Sequence, residues 1–116
     1  MEIKSENLSN GRLICLDGKL DTTTSNAFSD VLLKGMDEEP MNVIIDMAAL
    51  KYISSSGLRV LLAGLKKIKA QNKIMVLAAL QPHVMEVMDI AGFSPLFTIS
   101  PSREDALALL QKKANG

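Results

Sequence analysis

The chain has 116 residues, 47% of them hydrophobic, and its thirteen basic and thirteen acidic side chains cancel. That length suits one domain over residues 1–116, able to bury roughly two-thirds of its unfolded surface. No apolar run approaches the roughly 18 residues of a membrane span, and "MEIKSENLSN" lacks the basic-then-apolar layout of a signal peptide, so a cytoplasmic protein is expected.

"IKSENL" and "RLICL" flank Asn10-Gly11, a pair suited to positive backbone angles in a tight hairpin, which predicts two antiparallel strands. The lone Cys15 excludes an internal disulfide, fits a reducing compartment, and reads as a buried strand thiol. "DTTTSNAFSDVLLKG" follows as a helix, with Phe28, Val31 and Leu32 at helical spacing, Asp21 or Thr22 as its cap and Gly35 near its end. "MNVIIDM" is continuously apolar and β-branched, as in a parallel strand covered on both faces.

Leu58, Leu61, Leu62, Leu65 and Ile68 then form one helical stripe, with Arg59, Lys66, Lys67 and Lys69 largely off it. "IMVLAA" reads as another buried strand, and residues 82–91 as a short helix begun by Pro82 and stopped by Gly92. "LFTI" is the last strand. Ser100 is expected to cap a final helix that has Pro101 in its first turn and Leu107 and Leu110 facing inward. The order ββαβαβαβα predicts an α/β fold: a mainly parallel mixed sheet of about five strands with an N-terminal antiparallel hairpin and about four helices. In such sheets sites lie beyond the carboxyl ends of the strands, where "GKLDTTT", "DMAALKYISSSG" and "ALQPH" converge.

Charge is unevenly spread. Residues 1–46 hold nine acids and four bases, whereas 47–85 hold six bases and no acid. A solvated helix face accounts for this basic stretch, and with only Phe28, Tyr52, Phe93 and Phe97 aromatic there is no stacking platform for nucleic acid. The enzyme inventory is thin. The chain has no phosphate-binding glycine loop, dinucleotide fingerprint or G-x-S-x-G, and its single histidine, His83, sits beside Pro82 at a helix start. One cysteine, one histidine and the pair Asp21 and Asp46 fall short of a metal centre, so no metal and no cofactor is expected. A phosphoaspartate receiver would need an acidic pair after its first strand and a lysine after its last, and "NLSN" and "TISPS" offer neither.

Ser54, Ser55 and Ser56 remain. They stand between strand and helix, where backbone amides point outward unsatisfied and one hydroxyl suffices as a cap. Three exceed that need, which leaves a hydroxyl available to a kinase.

The stretch Asp46-Met47-Ala48-Ala49-Leu50-Lys51-Tyr52-Ile53-Ser54-Ser55-Ser56-Gly57-Leu58 resembles the strand end, loop and helix start of the STAS domains, and within them the bacterial anti-sigma factor antagonists. Gly18-Lys19-Leu20-Asp21 is similar to the upstream G-x-L-D element, and Gly92-Phe93 and Asp105-Ala106-Leu107 to the C-terminal pattern. The resemblance implies a regulatory binding protein, not an enzyme. Its unphosphorylated form would bind an anti-sigma factor that is also a serine kinase and so free a sigma factor for transcription. Phosphorylation would block that binding, and a metal-dependent serine phosphatase would restore it. By position Ser55 is the phosphoacceptor, with Ser54 and Ser56 as lesser candidates. The partner surface takes in Asp21, Thr23, Thr24, Ser54, Ser55, Ser56, Gly57, Leu58 and Arg59. Many family members carry aspartate directly before the acceptor, where this chain has Ser54. A monomer or weak dimer without direct membrane contact is expected. The alternative role that the resemblance implies is a regulatory subunit of a membrane transport complex, either a lipid-transport ABC complex or an anion transporter. A serine-nucleophile enzyme is a third reading, for which no base can be named.

Overall fold

The first strand is mostly exposed and the second largely buried, whereas burial is continuous over Val43–Met47 and Met75–Ala78. The computed structural model describes residues 1–115, and side chains through residue 112. Strands β1 (Glu2–Leu8), β2 (Gly11–Leu20), β3 (Val43–Ile53), β4 (Met75–Ala78) and β5 (Thr98–Ser100) form one sheet in the order β1-β2-β3-β4-β5. β1 runs antiparallel to β2, and the remaining pairs are parallel. α1 (Ser25–Ser29), a π-helical turn (Asp30–Lys34) and α2 (Gly35–Glu38) run on as one helical segment. α3 (Ser55–Ala70), α4 (Pro82–Ile90) and α5 (Arg103–Asn115) complete four helical bodies.

The helices divide unequally between the sheet's faces. Phe28, Leu32, Leu58, Leu61, Leu65, Val84 and Met88 pack with Ile14, Leu16, Val43, Ile45 and Leu77 in the main core. α5 alone covers the other face, where Ala106 and Leu110 meet Leu13, Ile44 and Val76. This explains the unbroken apolar run of β3, since both its faces are covered. Each such large side chain taken fully out of water stabilises the fold by about 1.5–3 kcal/mol.

Four local expectations are corrected. The hairpin closes over Ser9–Asn10, with Leu8 opposite Gly11, and neither Asn10 nor Gly11 has a positive φ. Gly11 is needed for close approach instead, because a Cβ there would lie 2.6 Å from the Asn42 carbonyl oxygen and 2.8 Å from Leu110 Cδ2. The first helical segment does not end near Gly35 but continues to Glu38. Its start is organised by Asp21 rather than Thr22, since the Asp21 carboxylate accepts from the backbone N–H of Thr23 and Thr24. Ser100 lies buried in β5, and the final helix begins at Arg103, where the Ser102 hydroxyl accepts from the Asp105 N–H at 3.1 Å.

The fourth correction positions the site. β3 does not stop at Met47 but runs to Ile53, so residues 48–53 are strand rather than loop. Beyond Asp46, which pairs with Ala78, β3 has only β2 beside it, with Asp17 opposite Ala49 and Leu20 opposite Ile53. Two register shifts in β2 accompany this overhang, and Gly18 takes a positive φ of 114° there. The turn into α3 is thereby carried out past the end of the sheet.

Candidate functional site

β2 and β3 end side by side, tied by the Ser54 N–H donating to the Leu20 carbonyl at 2.8 Å. α3 starts at once. Ser54 is its N-cap in extended conformation, and its hydroxyl accepts from the Gly57 N–H at 3.3 Å. The helix can approach this closely because residue 57 has no side chain, as a Cβ there would stand 2.8 Å from Leu20 Cγ and 3.1 Å from Ile53 Cγ1. Gly57 and Leu58 are buried and support the turn from below.

The three serines are not equivalent. Ser54 and Ser56 hydroxyls lie 2.8 Å apart, Ser56 and Ser25 lie 3.0 Å apart, and Ser25 reaches the Asp21 carbonyl at 2.6 Å. A hydroxyl has one proton to give, so the Ser25 proton is shared between its two acceptors. Gly57 N–H donates to Ser54, the Ser54–Ser56 bond can run either way, and Ser25 is placed to donate to both the Ser56 hydroxyl and the Asp21 carbonyl. Bonds in such a series polarise one another. Ser25 is 5% exposed and clamps the β2–α1 turn onto the start of α3. Ser55, at the first helical position, is exposed and stands outside this series, while Ser54 and Ser56 are half-buried within it.

The Asp21 turn forms the neighbouring wall. Its carboxylate accepts from the Thr23 hydroxyl at 2.7 Å and from the Thr23 N–H at 2.9 Å. Thr24 accepts from the Asp21 N–H and donates to the Lys19 carbonyl, each at 2.9 Å. The Asp21 pKa is held below its usual 3.8, chiefly by the Thr23 hydroxyl bond; desolvation opposes this, and the Thr23 and Thr24 amides and the Thr24 hydroxyl add to the lowering. Thr23 is exposed, Asp21 and Thr24 are half-buried, and Arg59 is exposed one helical turn beyond Ser55. A second junction comes from the β4–α4 loop, where the Gln81 side-chain amide donates to the Ala48 carbonyl at 2.7 Å.

Two features lie beyond what the sequence pointed to. Ser25 is one, hidden inside the run "DTTTS". The other is an ion pair on the α5 face, where Arg103 Nε donates at 2.8 Å to the Asp46 carboxylate, itself 7% exposed and also accepting from the Ala48 N–H. Cys15 is half-buried rather than buried, lies 3.3 Å from the Arg103 guanidinium, and has its pKa raised mainly by desolvation. These groups line an open cleft of about 260 Å³ with Glu2, Lys4 and Asp17. Among the described residues, no three metal-ligating side chains converge, and no helix is long and apolar enough to cross a membrane.

The chain belongs to the STAS domain family, whose sequence model matches residues 3–106. BtrV of Bordetella bronchiseptica, which carries the name of an anti-sigma factor antagonist, is 33% identical over 108 residues, covering 93% of each chain. Two solved structures of SpoIIAA share the fold at 18% identity. The unphosphorylated anti-sigma factor antagonist superposes with a TM-score of 0.84 over 96% of this chain and 97% of that one. The phosphorylated form, from Bacillus, gives 0.75 over 94% and 99%.

Proposed function

We propose that this protein is a cytoplasmic anti-sigma factor antagonist switched by phosphorylation of Ser55. Unmodified, it binds an anti-sigma factor that is also a serine kinase, and a sigma factor is released. The observation that carries this reading is the inequality of the three serines: Ser54 and Ser56 are held in the hydroxyl series, and Ser55 stands exposed beside it. The kinship with BtrV supports the same role. The kinase transfers the γ-phosphoryl group of ATP to Ser55 Oγ, the hydroxyl proton passes to a base on the kinase, and ADP leaves. A serine phosphatase reverses the state by adding water across the P–O bond, which returns serine and inorganic phosphate.

The fold tolerates the modification, because a helix N-terminus favours negative charge by about 0.3–1 kcal/mol. A partner carboxylate docking roughly 6 Å from the phosphate would meet about 5 kcal/mol of repulsion at an effective dielectric of about 20, before screening. About 2.8 kcal/mol already weakens binding a hundredfold. Charge alone therefore suffices for switching, and the domain need not rearrange. Incubation with the cognate kinase and ATP, followed by intact-mass and peptide mapping, tests the assignment. One phosphate is expected on the wild type, Ser54→Ala and Ser56→Ala, and none on Ser55→Ala. Full modification of Ser55→Ala would overturn it.

A further inference from the structure

The segment that carries Ser55 has a cation without an ion-pair partner among the described residues. Arg59 is exposed on α3, and none of the ion pairs among the described residues involves it. Its neighbours three and four positions away along the helix are Ser55, Ser56, Leu62 and Ala63, and no acid occurs anywhere between residues 47 and 85. The other charged group of the site, Asp21, has its carboxylate turned into its own loop by Thr23 and Thr24. A phosphate on Ser55 would thus be the first anion placed at the i−4 position from this guanidinium.

Helix geometry brings the two together. Residues four apart lie on one face about 6 Å apart, and side chains lean toward the helix N-terminus, so a long side chain at 59 extends back over the turn that holds residue 55. An anion N-terminal to the cation at this spacing is also the better order. Guanidinium is planar and matches two phosphate oxygens at once, which a lysine ammonium does not.

We propose that Arg59 is the in-chain counter-ion of phosphorylated Ser55. Pairing holds the phosphate against α3 and withdraws the Arg59 charge from the partner-facing surface. The switch then subtracts a cation from that surface as well as adding an anion. This rests on Ser55 being the acceptor, and the test keeps the two ideas apart by installing phosphoserine at position 55 during translation, with no kinase involved.

The second ionisation of that phosphate is followed by phosphorus NMR in the wild type, Arg59→Ala and Arg59→Lys. At low salt the wild type is expected to ionise about 0.3 of a pH unit lower than Arg59→Ala, with Arg59→Lys between them. The gap should close in 1 M salt, where screening reaches about 3 Å. Asp21 is present in all three proteins and cancels from the comparison. Far-ultraviolet circular dichroism checks that the exposed substitutions leave the fold intact. Coincident titration curves for wild type and Arg59→Ala would overturn the proposal. A shift seen here, together with no kinase product at Ser55, would leave the counter-ion in place and refute the phosphoacceptor assignment alone.

Discussion

Replacing Ser25 by alanine removes the last hydroxyl of the series, the one that joins Ser56 to the Asp21 carbonyl. The Ser25 hydroxyl contacts the Asp21 carbonyl at 2.6 Å and the Ser56 hydroxyl at 3.0 Å, and the residue is 5% exposed, so water cannot readily substitute. Two net contributions of about 1 kcal/mol each are lost, and the better helix propensity of alanine returns about 0.5 kcal/mol. The expected destabilisation is about 1.5 kcal/mol. For a domain of this size that lowers Tm by about 6 °C. Urea unfolding followed by circular dichroism reads the change directly. A double-mutant cycle with Ser56→Ala then isolates the contact, and a coupling of at least about 0.5 kcal/mol is expected. Ser25→Ala within about 1 °C of wild type, or strictly additive single and double variants, would refute the idea that this series clamps the two turns.

Further outcomes follow from the same geometry. Arg103→Ala strands the buried Asp46 carboxylate; since Arg103 is half-exposed, the cost is discounted to about 1–2 kcal/mol in urea unfolding, and adding Asp46→Asn should recover part of it. The lowered pKa of Asp21 means that its contribution is present above 3.8 and is lost as pH falls through the lower folded value. Thermal melts between pH 5 and 2.5 should therefore fall more steeply for wild type than for Asp21→Asn, and parallel curves would contradict that bond pattern.

The hairpin, the parallel strands, the stripe on α3 and a serine cap at its start were legible because each rests on local periodicity or on a single residue's chemistry. The extension of β3 was not. Ala48, Ala49, Lys51 and Tyr52 lack the β-branched run of Val43–Ile45, and what holds them extended is pairing with β2, some thirty residues away in sequence. Gly11 was read as a turn residue, whereas it begins β2, and the close approach of Asn42 and Leu110 that requires glycine there depends on tertiary packing. Ser55 could be picked out by resemblance, but its separation from Ser54 and Ser56 depends on Ser25, 31 positions before Ser56, and no local pattern announces that contact. Arg103 escaped notice similarly, because its partner Asp46 lies 57 residues earlier.

If Ser55 is the switch, a phosphate there separates this protein from an anti-sigma kinase. Isothermal titration of the kinase with the unmodified protein, and with protein carrying phosphoserine at position 55, measures it most directly. Tight binding of the unmodified form and at least a hundredfold loss on phosphorylation are expected. Equal affinity for the two forms would contradict it.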